Sequence, residues 1–171
     1  MENNRPRQII DALSNKDHEK LKELNITDKE VNDIINSIDR KIEKLDSEIL
    51  EYISAVEKEI NYEFPNEYKE YLLKTSSLKP EKNVLRLENG NEKVLRCLLS
   101  MDPNSTNYIL KFQKFDSELE SKLVPFALLE FGDILCFERE TNKIVYYNHE
   151  LDSTEIIADN WNNFINELYD N

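Results

Sequence analysis

Glycine is nearly absent from this chain: Gly90 and Gly132 are the only two among 171 residues, where average usage would give about twelve. Phosphate-cradling loops use glycine to bring backbone N–H groups close to the ligand. Neither a Walker A loop nor a dinucleotide fingerprint can therefore be written anywhere. Cysteine and histidine are just as scarce, at two each. Cys97 and Cys136 lie far apart in apolar runs, as buried thiols do. With His18 and His149 they make no ligand spacing such as C-x-x-C or H-x-x-x-H, so neither a metal site nor a cofactor is expected. No apolar run approaches the roughly 18 residues of a membrane span. The opening Met-Glu-Asn-Asn-Arg-Pro-Arg is followed by no apolar segment of a secretory leader. The expectation is a soluble, cytoplasmic protein, kept reduced, with no membrane partner.

Basic charge is the next shortage. Lysine and arginine number 22 against 35 acidic residues, a formal net charge of -13. The imbalance is uneven, because residues 130–171 hold ten acidic residues and only Arg139 and Lys143 as cations. A field of that sign repels nucleic-acid phosphates and anionic lipid, and it attracts basic proteins. Direct nucleic-acid binding is disfavoured. The same acidity also reads as a solvated face that serves solubility alone.

Apolar residues are there in a helical rhythm. Thr27-Asp28-Lys29-Glu30 is a capping-box pattern. Behind it Val31, Ile34, Ile35, Ile38, Ile42, Leu45, Ile49, Ile53, Val56 and Ile60 step by 3 or 4, with no glycine or proline before Pro65. That predicts one helix of roughly 30 residues, about 45 Å long, or two helices broken near Asp46-Ser47. Its stripe is either core or, in part, the seam of a homodimer. Two short helices are predicted within residues 1–26, and another starts at Pro65 with Tyr68, Tyr71 and Leu72 on one face.

The period then changes to that of strands. Val84–Leu87 and Val94–Leu99 flank Asn89-Gly90, a hairpin signal because both residues tolerate positive φ. Asp102–Ser105 offers caps for a helix carrying Tyr108, Ile109, Phe112 and Phe115, with a further helical piece around Ser117–Lys122. Ile134–Phe137 and Ile144–Tyr147 make a second hairpin around Glu140–Asn142, and Glu155–Ala158 is a last short strand. Asp159 or Asn160 caps a terminal helix with Trp161, Phe164, Ile165 and Leu168. Hairpins between helical ends define the α+β class: antiparallel β-hairpins forming one sheet, packed by N-terminal helices and a C-terminal helix.

Five pieces of this chain, in order, resemble the SUKH superfamily, which includes bacterial immunity proteins and relatives of fungal cell-wall synthesis regulators. They are a helix ending in Val56-Glu57-Lys58-Glu59-Ile60, then Phe64-Pro65 with Tyr68-Lys69-Glu70-Tyr71-Leu72, and Val124-Pro125-Phe126-Ala127. Phe131-Gly132-Asp133 with its apolar strand follows, and Ile157-Ala158-Asp159 with Trp161 and Phe164 closes the series. The glycine pair common in that family after the Pro-Tyr helix is replaced by Thr75-Ser76-Ser77. The resemblance spans residues 50–171 and leaves residues 1–49 as a helical N-terminal extension.

Enzymatic readings fare poorly. Asp133 with Glu138 is a carboxylate pair in a chain where such pairs abound. His149 beside Glu150 reads as a general base or as a structural histidine. Cys136 stands among acidic neighbours, which raise rather than lower a thiol pKa. No triad or oxyanion motif is written, and no catalytic residue is assigned.

What the resemblance implies is a non-catalytic bacterial immunity protein that binds and blocks a cognate toxin, often a nuclease. The alternative is a regulatory or scaffolding module, and a hydrolase with an unrecognised site is a third reading. Gly132 is expected to supply a backbone angle that other residues reach only with strain. Asp133 either holds that turn or points outward as a contact. If binding is electrostatically guided, the contact face draws on Asp133, Glu138, Glu140, Glu150, Asp152 and Glu155, with Tyr146 or Tyr147, whichever faces out, as an aromatic anchor.

Overall fold

The computed structural model describes residues 27–75, 78–113 and 121–170, with Glu19 and Glu23 besides. The short helices expected within residues 1–26 and the helical piece around Ser117–Lys122 lie outside the described residues almost entirely, and Phe115, Ser76 and Ser77 also lie outside them. Two compact units divide the chain, Met1–Ser47 and Glu48–Asn171.

The first unit carries the start of helix α1, Asp28–Ile60. The capping box forms: Thr27 N and Oγ1 each donate to Glu30 Oε2 at 2.8 Å, and Glu30 N donates to Thr27 Oγ1 at 3.3 Å. The helix continues through Asp46-Ser47 because neither glycine nor proline interrupts its i→i−4 ladder there. Ile35, Ile38, Ile42 and Leu45 are exposed.

In the second unit α1 buries Ile53, Val56 and Ile60. It ends where Asn61 turns left-handed at φ 50°, and Arg139 Nη1 donates to the free Ile60 carbonyl at 3.0 Å. Helix α2, Asn66–Lys74, starts behind Pro65, whose φ of −54° suits a helix entry. The sheet follows as β1 (Val84–Arg86), β2 (Glu92–Leu98), β3 (Leu123–Leu129), β4 (Ile134–Glu138), β5 (Ile144–Asn148) and β6 (Ser153–Ala158). Helix α3, Ile109–Gln113, lies between β2 and β3, and α4, Trp161–Glu167, follows β6. The six strands pair antiparallel in sequence order, so every link is a simple meander.

β3 is a central strand despite Pro125, and the sequence signals above do not mark it. The chain accommodates the missing N–H with a register shift between Pro125 and Ala127 against β4. Asp102 makes an Asx turn with Asn104 N at 2.8 Å instead of capping a helix, and α3 starts seven residues later. Asn160 caps α4 by accepting from Asn163 N at 2.9 Å.

Alternation along β4 and β5 sends Leu135, Phe137, Ile144 and Tyr146 to one face, and Ile134, Cys136, Val145 and Tyr147 to the other. The first face packs under the helices as an aromatic cluster. Trp161 meets Tyr68 edge to face with ring centroids 4.7 Å apart, and Phe126 meets Phe137 at 4.6 Å. Phe64, Tyr68, Phe126, Phe137, Trp161 and Phe164 come from segments spread over a hundred residues, and they are one core. The sheet also curls. Glu88, in the turn between β1 and β2, donates its N–H to Glu155 of β6 at 2.6 Å, joining opposite margins. The outer edge of β1 is covered by Tyr169, which exchanges backbone hydrogen bonds with Val84 at 3.0 and 3.1 Å.

Candidate functional site

The start of β4 is set by a tight turn. Leu129 N donates to Asp133 O at 2.8 Å, and the three residues Glu130–Gly132 between the strands form a tight, kinked turn. Closing it puts two consecutive residues in the left-handed region, Phe131 at φ 65° and Gly132 at φ 91°. Glycine suits position 132 because of its positive φ, and a Cβ there would also come 3.2 Å from His149 Cε1, so that ring would have to give way. Phe131 has no such exemption and holds the strained conformation as a bulky residue. Its side chain is 90% exposed.

Behind the turn Asp133 points inward. The residue is 4% exposed, which corrects the reading of its carboxylate as an outward contact. Asp133 Oδ2 accepts from Lys93 Nζ at 2.7 Å and from Tyr146 Oη at 2.6 Å, and Oδ1 lies 3.2 Å from His149 Nδ1. Tyr146 Oη accepts in turn from Asn148 Nδ2 at 3.2 Å, and Lys93 lies 5.2 Å over the Tyr146 ring. Burial pushes the Asp133 carboxyl upward, but these hydrogen bonds and the Lys93 charge outweigh it and hold the group below the usual carboxylate range. Lys93 is raised, chiefly by its bond to Asp133. The physical cause of the burial is the ion pair: a carboxylate enters the interior when a cation and two further polar partners meet it there.

The opposite sheet face opens into a hollow of about 550 Å³. Val145 and Tyr147 are among its walls, and Glu88, Glu138, Asp152 and Glu155 bring carboxylates from three separate segments. Three of these carboxylates are held by hydrogen bonds. Glu138 accepts from Thr141 Oγ1, Asp152 accepts from Tyr147 Oη at 2.9 Å, and Glu155 accepts from Glu88 N. Of the residues singled out in the sequence, the hollow thus gathers Glu138, Tyr147, Asp152 and Glu155. Glu140 and Glu150 are exposed in the turns flanking β5. Tyr146 and Tyr147 are 5% and 8% exposed, so neither faces out as an anchor. The two pack on opposite faces of a sheet that is buried on both sides at β5.

Three contributors have no signal in the sequence. Lys93 sits forty residues from Asp133, Glu88 joins the hollow only because the sheet curls, and nothing about a Phe-Gly pair says that the phenylalanine itself turns left-handed. Chemically the arrangement is a set of locked carboxylates. His149 is half-exposed and paired with a carboxylate already held by two other donors. Cys136 is fully buried, and burial pushes its thiol up, away from thiolate chemistry. Among the described residues no group of three or more His, Cys, Asp or Glu side chains is placed to hold a metal ion, and no helix is long and apolar enough to cross a membrane.

No curated protein and no solved structure matches the chain significantly. A SUKH family model described as SMI1-KNR4 cell-wall matches residues 50–165. That span takes in the end of α1, the aromatic core, the Phe-Gly-Asp turn and the acidic hollow. Members of this family are in general non-catalytic immunity or regulatory modules. By its fold and by that match, the chain belongs to the SUKH superfamily, in the family described as SMI1-KNR4 cell-wall.

Proposed function

We propose that this protein is an immunity protein that binds a cognate toxin, a basic nuclease domain, and occludes its active site without catalysis. Family membership supports an immunity or regulatory role. The observation that carries the finer reading is the convergence of Glu88, Glu138, Asp152 and Glu155 on one hollow, where Lys122 is the single cation among its lining residues. Nucleases hold their substrates in basic grooves, and a rigid acidic face both fits such a groove and accelerates encounter with it. Glu140 and Glu150, exposed on neighbouring turns, extend the same field. Residues 50–171 form the binding domain in this reading, with residues 1–49 as an extension.

Co-expression with a toxin domain encoded beside this gene tests the proposal. Growth should be restored and the two proteins should copurify in fixed ratio. Continued growth arrest despite full expression of the folded protein would reject it. The cell-wall description of the matched family favours the alternative, a regulatory or scaffolding module. A gene without a toxin-encoding neighbour would select that reading.

A further inference from the structure

We infer that Phe131 and Leu151 together form a preformed apolar anchor that inserts into an apolar cleft with a basic rim on a folded protein partner. Both side chains stand far out in water, at 90% and 73% exposure. They sit on two loops at one end of the sheet. Phe131 lies three residues before β4 and Leu151 three residues after β5, strands whose facing residues Ile134 and Tyr147 pair directly. His149, two residues from Leu151, packs against Gly132, next to Phe131.

Both loops are held rigid. The Phe131 turn is closed by the Leu129–Asp133 backbone bond and braced by the buried Asp133–Lys93 pair. In the Leu151 loop, Asn148 Oδ1 accepts from both Glu150 N and Leu151 N at 3.0 Å, and Asp152 at φ 48° is tied to Tyr147 Oη. A left-handed phenylalanine is strained, and a fold that sustains the strain in order to expose the ring indicates use of that ring. Rigid display also removes the ordering cost that a flexible loop would meet on binding.

Charge selects the occupant. Glu130, Glu150 and Asp152 are the sequence neighbours of the two apolar side chains and are all exposed, and Asp152 also lines the acidic hollow. Anionic lipid and nucleic acid are repelled by that rim, and a second copy of a chain with net charge -13 meets its own sign. A basic protein surface meets complementary charge around an apolar centre, the arrangement of an interface hot spot within its rim. The inference extends the immunity proposal by naming the anchor, and rests on it only for the partner's identity.

The test places the photo-crosslinker p-benzoylphenylalanine at position 131 of the full chain, or at exposed Asn162 as control, in cells carrying the whole native locus. The expected adduct is with a different protein, forms at 131 and not at 162, and is lost in Leu151→Asp. That protein, purified, should bind Phe131→Ala about thirty-fold more weakly than the parent, with part of the affinity restored in Phe131→Leu. An adduct with a second copy, with nucleic acid or with lipid overturns the inference. So does absence of an adduct above the control, or equal affinity for Phe131→Ala. If the captured protein meets the affinity criterion but does not arrest growth when produced alone, the anchor stands and the immunity reading fails.

Discussion

Lys93 of β2 and Asp133 at the head of β4 meet at 2.7 Å, forty residues apart in sequence and separated by β3 in the sheet. The pair bridges two strands that do not neighbour each other, so it fixes the turn that carries Phe131. Asp133→Asn leaves Lys93 without its anionic partner in a site where its side chain is only 24% exposed. The variant should lose about 2–4 kcal/mol of stability by urea unfolding. Lys93→Met should recover part of that loss in the double variant, as expected when an unpaired charge is the damage.

The same carboxyl makes an acid limb. Burial raises Asp133, but Lys93, Tyr146 and His149 together hold it below the ordinary range. A group depressed in the folded state stabilises the fold above its unfolded pKa of about 3.9, and that contribution fades as pH falls through the lower folded value. The thermal midpoint should therefore drop between about pH 5 and pH 2. Asp133→Asn, less stable at pH 7, should drop less over the same interval. Parallel curves for the two proteins would contradict the assignment.

At Phe131 stability and exposure are set against each other. Phe131→Gly removes the left-handed strain and should raise stability by about 1 kcal/mol, the penalty of that region for an L-residue. Gly132→Ala should do the reverse, because the new Cβ meets His149 at 3.2 Å and φ stays positive. Thermal melts of the two variants decide this.

These features differ in how far the sequence discloses them. The capping box at Thr27, the Asn89-Gly90 hairpin and the Asn160 cap are local, and local chemistry is written in adjacent residues. The aromatic core is partly legible in the sequence, because Phe64, Tyr68, Phe126, Phe137 and Trp161 fall within four of the five family segments. β3 was hidden by Pro125, which argues against a central strand until the register shift beside it is seen. Tyr146 and Tyr147 offer no sequence sign of which one faces out, and neither does. Burial at β5 is two-sided, and alternation cannot tell an outer face from a second core. Lys93 and Glu88 are products of topology and curl, and no spacing rule reaches across forty or sixty-seven residues.

The exposed stripe Ile35, Ile38, Ile42 and Leu45 bears on self-association. If it is a homodimer seam, sedimentation at tens of micromolar should give a dimer that Ile38→Lys with Ile42→Lys converts to monomer. Monomer for the parent removes that reading. Deletion of residues 1–26 should in either case leave a cooperative thermal transition, since the aromatic core lies wholly within Glu48–Asn171.

The central claim is that an acidic face guides this protein onto a basic toxin, and the association rate measures it most directly. Stopped-flow association with the neighbouring toxin domain would be followed across a salt series. The parent chain would be compared with one carrying Glu138→Lys, Glu140→Lys, Glu150→Lys and Asp152→Lys, shown to be folded by circular dichroism. The account predicts that the parent associates at least about tenfold faster at low salt, and that the reversed chain loses most of that salt dependence. Equal rates and equal salt slopes for the two chains would contradict it.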